Sequence, residues 1–389
     1  MSSIEELLAV VPQPPDFKIE WQVIENDMMR FYAAAMKETQ QNPLHHAEGN
    51  VWNHTKMVCE SIVSDIDFQK LSERQRQELF LAALFHDIGK ITTTKLDDGE
   101  WVSPNHSIVG ANIVREILWR EYGICGTNEL QNFRETVCLL VRYHMIPPYV
   151  LDSEKPESRL IRIAANGELA SDFTLKLLMI LSKADTSGRI AQDVVKGIEN
   201  VNFCAELSKE IGCFNQPIDF YSDYTEFAYL SGKNVTPHTE LYNDTKCEVI
   251  LLCGLPGTGK DTWIKQNYPD YPVISLDDIR MEFGISPVGN QQEVVRIAHT
   301  RAKELLRQQK SFVWNATSIT PDIRAKHISL FCSYKAFVKI VFLETEWGTN
   351  LSRNKNRKDS VPQSVIEKML AKFIPPERFE AHSVKWICI

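Results

Sequence analysis

Residues 249–264 read Val-Ile-Leu-Leu-Cys-Gly-Leu-Pro-Gly-Thr-Gly-Lys-Asp-Thr-Trp-Ile. A short apolar run, then a glycine-rich loop, then a lysine predicts a buried strand, a loop of free backbone N–H groups and a helix N-terminus. That order suits a triphosphate. Gly254, Gly257 and Gly259 let the backbone approach phosphate oxygens, Thr258 lies within the loop, and Lys260 supplies the charge that reaches the β- and γ-phosphates. The position after the lysine, commonly Ser or Thr, is Asp261, with Thr262 behind it.

Outward from this loop the texture is that of an α/β domain. The segments CEVILLCG, YPVISLDD, SFVWNAT and AFVKIVFLE alternate with helical stretches such as NQQEVVRIAHTRAKELLRQQK. Apolar strands alternating with helices predict a parallel sheet covered on both faces. Residues 1–200 instead read as helices. Ser72-Glu-Arg-Gln75 is a capping-box pattern ahead of QELFLAALFHD, and ANIVREILWREY, FRETVCLLVRYH and FTLKLLMILSKAD repeat the helical spacing. Residues 201–245, polar and weakly patterned, read as a connector before the α/β domain at 246–389.

A chain of 389 residues is long for one core and suits two domains. No apolar run approaches the roughly 20 residues of a membrane span. The start MSSIEELLAVVPQPP lacks a basic n-region, and nine cysteines without a C-x-x-C pair read as core residues in a reducing compartment. The expectation is a cytoplasmic protein with no membrane partner. The net charge of −8 is unevenly shared: residues 246–389 carry 21 Lys and Arg against 15 Asp and Glu, leaving 22 against 36 before them. A phosphate-rich partner should be gripped by the C-terminal part, while the acidic part is suited to cations.

Four further positions in the helical half carry metal-ligand chemistry besides His86-Asp87: His54, His106, His144 and Asp185; Lys90 lies one turn past the pair. Imidazole with carboxylate suits Mn, Fe, Co, Ni or Zn, and six such groups can hold one or two ions, Asp87 bridging in the second case. Lys90 is a candidate contact for a substrate phosphate. The order His, His-Asp, His, His, Asp over residues 45–190 resembles the HD phosphohydrolase superfamily. H-A-E-G-N-V-W-N-H-T and A-D-T-S-G-R resemble the versions fused to tRNA-nucleotidyltransferases. The resemblance makes His45, His46 and Arg189 candidates to line the site, although each reads equally well as surface. His238, His299, His327 and His382 read as structural.

Past the phosphate loop, Asp277 and Asp278 follow the second strand, where its C-terminal end meets the same crevice. Asp277 is the candidate base for an attacking hydroxyl, and Arg280, one turn on, the candidate fork for an acceptor phosphate. Asp278 reads as an acidic first turn of a helix. Arg353 and Arg357, four apart, are expected on one helix face as a phosphate-neutralising lid. G-L-P-G-T-G-K-D-T-W, L-D-D-I-R and R-N-K-N-R with Val361-Pro362 resemble the 5′-hydroxyl polynucleotide kinases over residues 248–375. That resemblance implies ATP as donor, Mg or Mn at the kinase site with Asp261 as a ligand, and Asn315 facing the site.

Together the two halves resemble the bacterial HD-Pnk proteins. The resemblance implies an end-healing enzyme: a kinase for 5′-OH ends of RNA or DNA, and a phosphoesterase for 2′,3′-cyclic, 2′- or 3′-phosphates. A separate ligase would then join the ends, and a homodimer is open. Two other readings use the same residues. One is a nucleoside or sugar kinase fused to an HD nucleotidase. The other is a nucleotide-gated nucleic-acid-binding switch with an inactive HD half.

Overall fold

The computed structural model describes residues 4–286, 289–357 and 360–389. They form two compact units, residues 1–125 with 129–218 and residues 126–128 with 219–389. The first unit is helical. Helix Glu73–Phe85 starts at the Ser72–Gln75 capping box, with both reciprocal bonds formed. It buries Leu79 through Phe85 without interruption, which delivers His86 and Asp87 into the interior. Helices Val51–Ser64, His106–Glu116, Asn128–Tyr143 and Leu175–Ser187 complete the frame around that point. This unit also carries an antiparallel pair, β1 (Lys95–Asp97) and β2 (Glu100–Val102), joined at Asp98-Gly99. Both turn residues have positive φ, as a two-residue hairpin requires.

The second unit holds five strands: β3 (Cys247–Cys253), β4 (Val273–Ser275), β5 (Phe312–Asn315), β6 (Ala336–Glu344) and β7 (Ser383–Cys388). They form one sheet in the order β4-β5-β3-β6-β7, and every pairing is parallel. Four of these strands sit where the alternating pattern predicts them. The fifth, β7, was not anticipated. It is an edge strand, half-exposed along much of its length, and so lacks the continuous apolar run of a central parallel strand. Central β3 is buried on both faces. Ile250 and Leu252 pack with Trp263 and Ile264 of helix Lys260–Asn267, and with Val313, Val341 and Leu343 of neighbouring strands.

The stretch 201–245 is more structured than a bare connector. Helix Val194–Ile211 runs through its start, and Asp223–Leu230 forms a second helix capped by the Ser222 side chain. All nine cysteines are free, six of them buried. No helix among the described residues is long and apolar enough to cross a membrane.

Candidate functional sites

In the helical unit each candidate ligand sits at or beside a helix end: His54 in the first turn of Val51–Ser64, His86 just past Phe85, His106 opening its helix, His144 just past Tyr143, and Asp185 in the last turn of Leu175–Ser187. Helix ends leave backbone carbonyls without intrahelical donors. Two of the histidines use them, Nδ1 of His86 bonding Ala83 O at 2.8 Å and Nδ1 of His144 bonding Val141 O at 2.7 Å, while Nδ1 of His106 bonds the loop carbonyl of Ser103 at 2.9 Å. A carbonyl only accepts, so Nδ1 carries the proton and Nε2 presents its lone pair.

Those lone pairs converge on Asp87. Oδ2 lies 3.3 Å from His86 Nε2 and 3.7 Å from His54 Nε2, while Oδ1 lies 3.3 Å from His106 Nε2 and 3.9 Å from His144 Nε2. Asp185 Oδ1 joins the first side, 3.0 Å from His54 Nε2 and 3.9 Å from His86 Nε2. The two carboxylate oxygens of Asp87 therefore face two separate ligand groups, His54 with His86 and His106 with His144. His86 Nε2, His106 Nε2, His144 Nε2 and Asp87 Oδ1 are buried with no hydrogen-bond partner. Four converging orphaned atoms of this kind are costly unless an ion satisfies them, so the residues fit a divalent metal.

The electrostatics follow from burial and close charges. Burial alone would raise Asp87, but the charge of Lys90 beside it holds it well below the ordinary carboxylate range. Burial likewise works against Asp185, and the His54 bond and Arg189 charge overcome it. Burial and the neighbouring His86 push His144 down to about 3. Lys90 points into the cluster. It is 7 % exposed, lies 2.7 Å from Asp87 Oδ2 and donates to Gln41 Oε1 at 2.8 Å. Gly89 lets the cluster close. A Cβ there would stand 2.0 Å from the His106 carbonyl oxygen and 2.6 Å from Gly110 N.

The three candidate lining residues separate. His45 is exposed, its Nδ1 3.9 Å from Asp193 Oδ2. His46 sits behind His54, bonded to Glu48 at 2.7 Å. Arg189 is half-buried beside Asp185, with Nη2 donating to Thr186 Oγ1 at 3.2 Å. Glu48 and Gln41 touch ligands or their ion-pair partner and were not singled out from sequence. Glu48 stands inside the quoted motif, but it lies six positions before His54, and no periodicity announces that they meet.

In the α/β unit the loop after β3 leads into helix Lys260–Asn267. Gly257 has φ of +88°, and a Cβ there would come 2.6 Å from Asn350 O, so helix Trp347–Lys355 is seated directly on the loop. Asn350 Nδ2 fastens it by donating to Pro256 O at 3.0 Å. Thr258 is buried and donates to Leu255 O at 2.9 Å, whereas Thr262 is exposed. Lys260 Nζ caps the carbonyls of Gly254 (3.0 Å) and Leu255 (2.8 Å), and burial lowers its pKa to about 8 against the Asp261 charge. Asp261 is exposed, its Oδ1 accepting from Asn315 Nδ2 at 2.7 Å, which brings the departure from the usual loop and the Asn of β5 together.

Asp277 lies in the first turn of helix Leu276–Phe283, with 63 % of its side chain exposed. It pairs with Arg280 on one oxygen and faces Arg357 Nη2 at 3.5 Å on the other. Arg280 Nε donates to Gln291 at 2.7 Å. Asp278 belongs to the same acidic first turn, its N–H bonded to the Ser275 cap. Arg353 and Arg357 do not share a helix face. The helix stops at Lys355, and the Asn354 side chain bonds both N–H and C=O of Val361, which ties the chain off. Arg353 still reaches the loop, Nη1 lying 3.4 Å from the position a Gly259 Cβ would take. Elsewhere in this unit His299 and His327 pair at 3.1 Å against Trp314, and His382 accepts from Val338 N–H, consistent with structural roles.

Comparison with known proteins assigns the two halves separately. Residues 50–185 match the HD domain family, and residues 249–376 match an AAA domain of P-loop kinase-like type. The chain therefore joins an HD domain to a P-loop kinase-like domain. It is also similar to heterogeneous nuclear ribonucleoprotein U-like protein 2 of Mus musculus, 25% identical over 197 residues, and of Homo sapiens, 25% over 198. Each alignment covers 45% of this chain and only 26% of the relative.

Proposed function

We propose that this chain heals nucleic-acid ends, with an ATP-dependent 5′-hydroxyl kinase in residues 246–389 and a metal-dependent phosphoesterase in residues 1–200. The observation that carries the kinase reading is Asp277, an accessible carboxylate between Arg280 and Arg357 beside the phosphate loop. Transfer to a hydroxyl needs a group to take its proton, and Asp277 is that group. Arg280 binds the phosphate adjoining the acceptor hydroxyl, a group that a strand end carries and a free sugar lacks. Lys260 leaves its loop carbonyls for the donor phosphates. Arg353 and Arg357 neutralise the charge on the group in transit. A divalent ion near Asp261 would screen the donor phosphates. The ribonucleoprotein relatives favour a nucleic-acid acceptor in the same direction.

In the helical unit, the two sides of Asp87 support a pair of ions, held by His54, His86 and Asp185 on one side and His106 and His144 on the other. Such ions would supply Lewis-acid chemistry, lowering the pKa of water and screening a phosphoryl group under attack. Lys90 keeps the Asp87 carboxylate ionised and fixed. Arg189, beside Asp185, is the residue suited to grip the substrate phosphate. Removal of 2′,3′-cyclic, 2′- or 3′-phosphates and addition of a 5′-phosphate leave ends that a separate ligase can join.

The test is transfer of radiolabelled phosphate from ATP to defined acceptors. Labelling of a 5′-OH oligonucleotide is expected. Labelling confined to a nucleoside or sugar would sink the proposal in favour of a small-molecule kinase.

A further inference from the structure

Behind His54 lies a carboxylate that belongs to neither ligand group facing Asp87. Glu48, its side chain 2 % exposed, sets Oε1 3.1 Å from His54 Nδ1 and 2.7 Å from His46 Nδ1. Its Oε2 accepts from the Ile190 N–H at 2.9 Å. His54 Nδ1 has one other neighbour, the carbonyl of Gly188 at 3.1 Å. Both neighbours of Nδ1 accept, so that nitrogen keeps its proton, and Nε2, 3.0 Å from Asp185 Oδ1, is the atom that would give up its own proton to a metal ion. The other three histidines fix the same tautomer through neutral backbone carbonyls. His54 alone has a buried carboxylate for this, and that carboxylate also pins the segment just after Asp185.

We propose that Glu48 is a positioning residue for the metal cluster: it holds the His54 ring through Oε1 and, through Oε2, binds residue 190 to that ring, fixing His54 and Asp185 as one half-site. The inference rests on the metal-site reading of the Asp87 cluster. A negative charge on the far nitrogen strengthens an imidazole as a ligand, and loss of such an outer partner costs about 10- to 100-fold in metal affinity. Glutamine cannot substitute. Both carboxylate oxygens accept, so whichever way an amide turns, its NH2 faces a donor at His54 or at Ile190.

Full-length chain stripped with chelator is titrated with Mn2+, and free ion is followed by electron paramagnetic resonance. Glu48→Gln should weaken binding about 10- to 100-fold at one of the sites, while the thermal midpoint of the metal-free protein and the kinase activity stay at wild-type values. Glu48→Asp, which keeps the charge at shorter reach, should fall between the two. Equal affinity in wild type and Glu48→Gln would overturn the proposal, as would Glu48→Asp no better than Glu48→Gln. A large drop in the metal-free midpoint would also overturn it, reducing Glu48 to a structural link. If the wild type itself takes up no Mn2+, the metal-site reading fails first, and the two failures are told apart.

Discussion

Asp87 is the residue on which the helical site turns, because its two oxygens serve two ligand groups. Asp87→Ala should therefore remove bound metal from both sides together and abolish phosphoesterase activity. Metal analysis of the purified variant beside wild type checks this, and retention of the wild-type complement would refute a bridging role. At the other site, Asp261→Ala should raise the Mg2+ concentration for half-maximal kinase rate by about tenfold, if its carboxylate helps hold the ion. A Mg2+ titration of initial rates measures this, and an unchanged midpoint would make Asp261 only a partner of Asn315. The six ligand candidates were legible in sequence because His and Asp stand beside the ends of strongly patterned helices. Their partners were not. Glu48, Gln41 and the inward turn of Lys90 depend on tertiary contacts between residues up to 142 positions apart, as the Glu48–Ile190 bond illustrates.

At the scale of elements, the hinge of the cluster is the close approach of the His86–Lys90 turn to the helix His106–Glu116. Gly89→Ala forces backbone apart at both contacts and should cost about 3 kcal/mol, with metal uptake falling as His106 is displaced. Urea unfolding followed by circular dichroism gives the number. Helix Glu73–Phe85 also buries Glu78, whose pKa is raised from 4.5 to about 9 by burial and the nearby Asp172 charge, outweighing Arg74. The folded form then keeps a proton that the unfolded chain releases, so stability should decline as pH rises from about 4.5 towards 9. Glu78→Gln should flatten that decline; thermal midpoints across this range would show it, and identical slopes would count against it. Strand β3, its loop and the capping box were readable because each is a local rule of spacing. Helix Trp347–Lys355 was read one turn too long, since only the fold-back of Asn354 onto Val361 ends it. The Asp98-Gly99 hairpin did carry a sequence signal, obscured by its short exposed strands.

For the whole molecule, the two units carry opposite charge balances and separate sets of chemical groups. Lys260→Ala or Asp277→Ala should remove kinase activity and spare the phosphoesterase, and His86→Ala should do the reverse. Loss of both from one change would mean misfolding or a composite site. The pairing of an HD domain with a P-loop kinase-like domain was readable from two motif sets. The order β4-β5-β3-β6-β7 was not, because which strands lie side by side is settled by long-range packing rather than by the pattern of any one strand. The central claim is that both units act on the two ends of a broken strand. Its most direct test is mass spectrometry of a short RNA bearing a 5′-OH and a 2′,3′-cyclic phosphate, incubated with the full chain, ATP, Mg2+ and Mn2+. The account predicts a strand that has gained a 5′-phosphate and lost its cyclic phosphate. An RNA unchanged at both ends, with ATP consumed on a nucleoside or sugar instead, would contradict it.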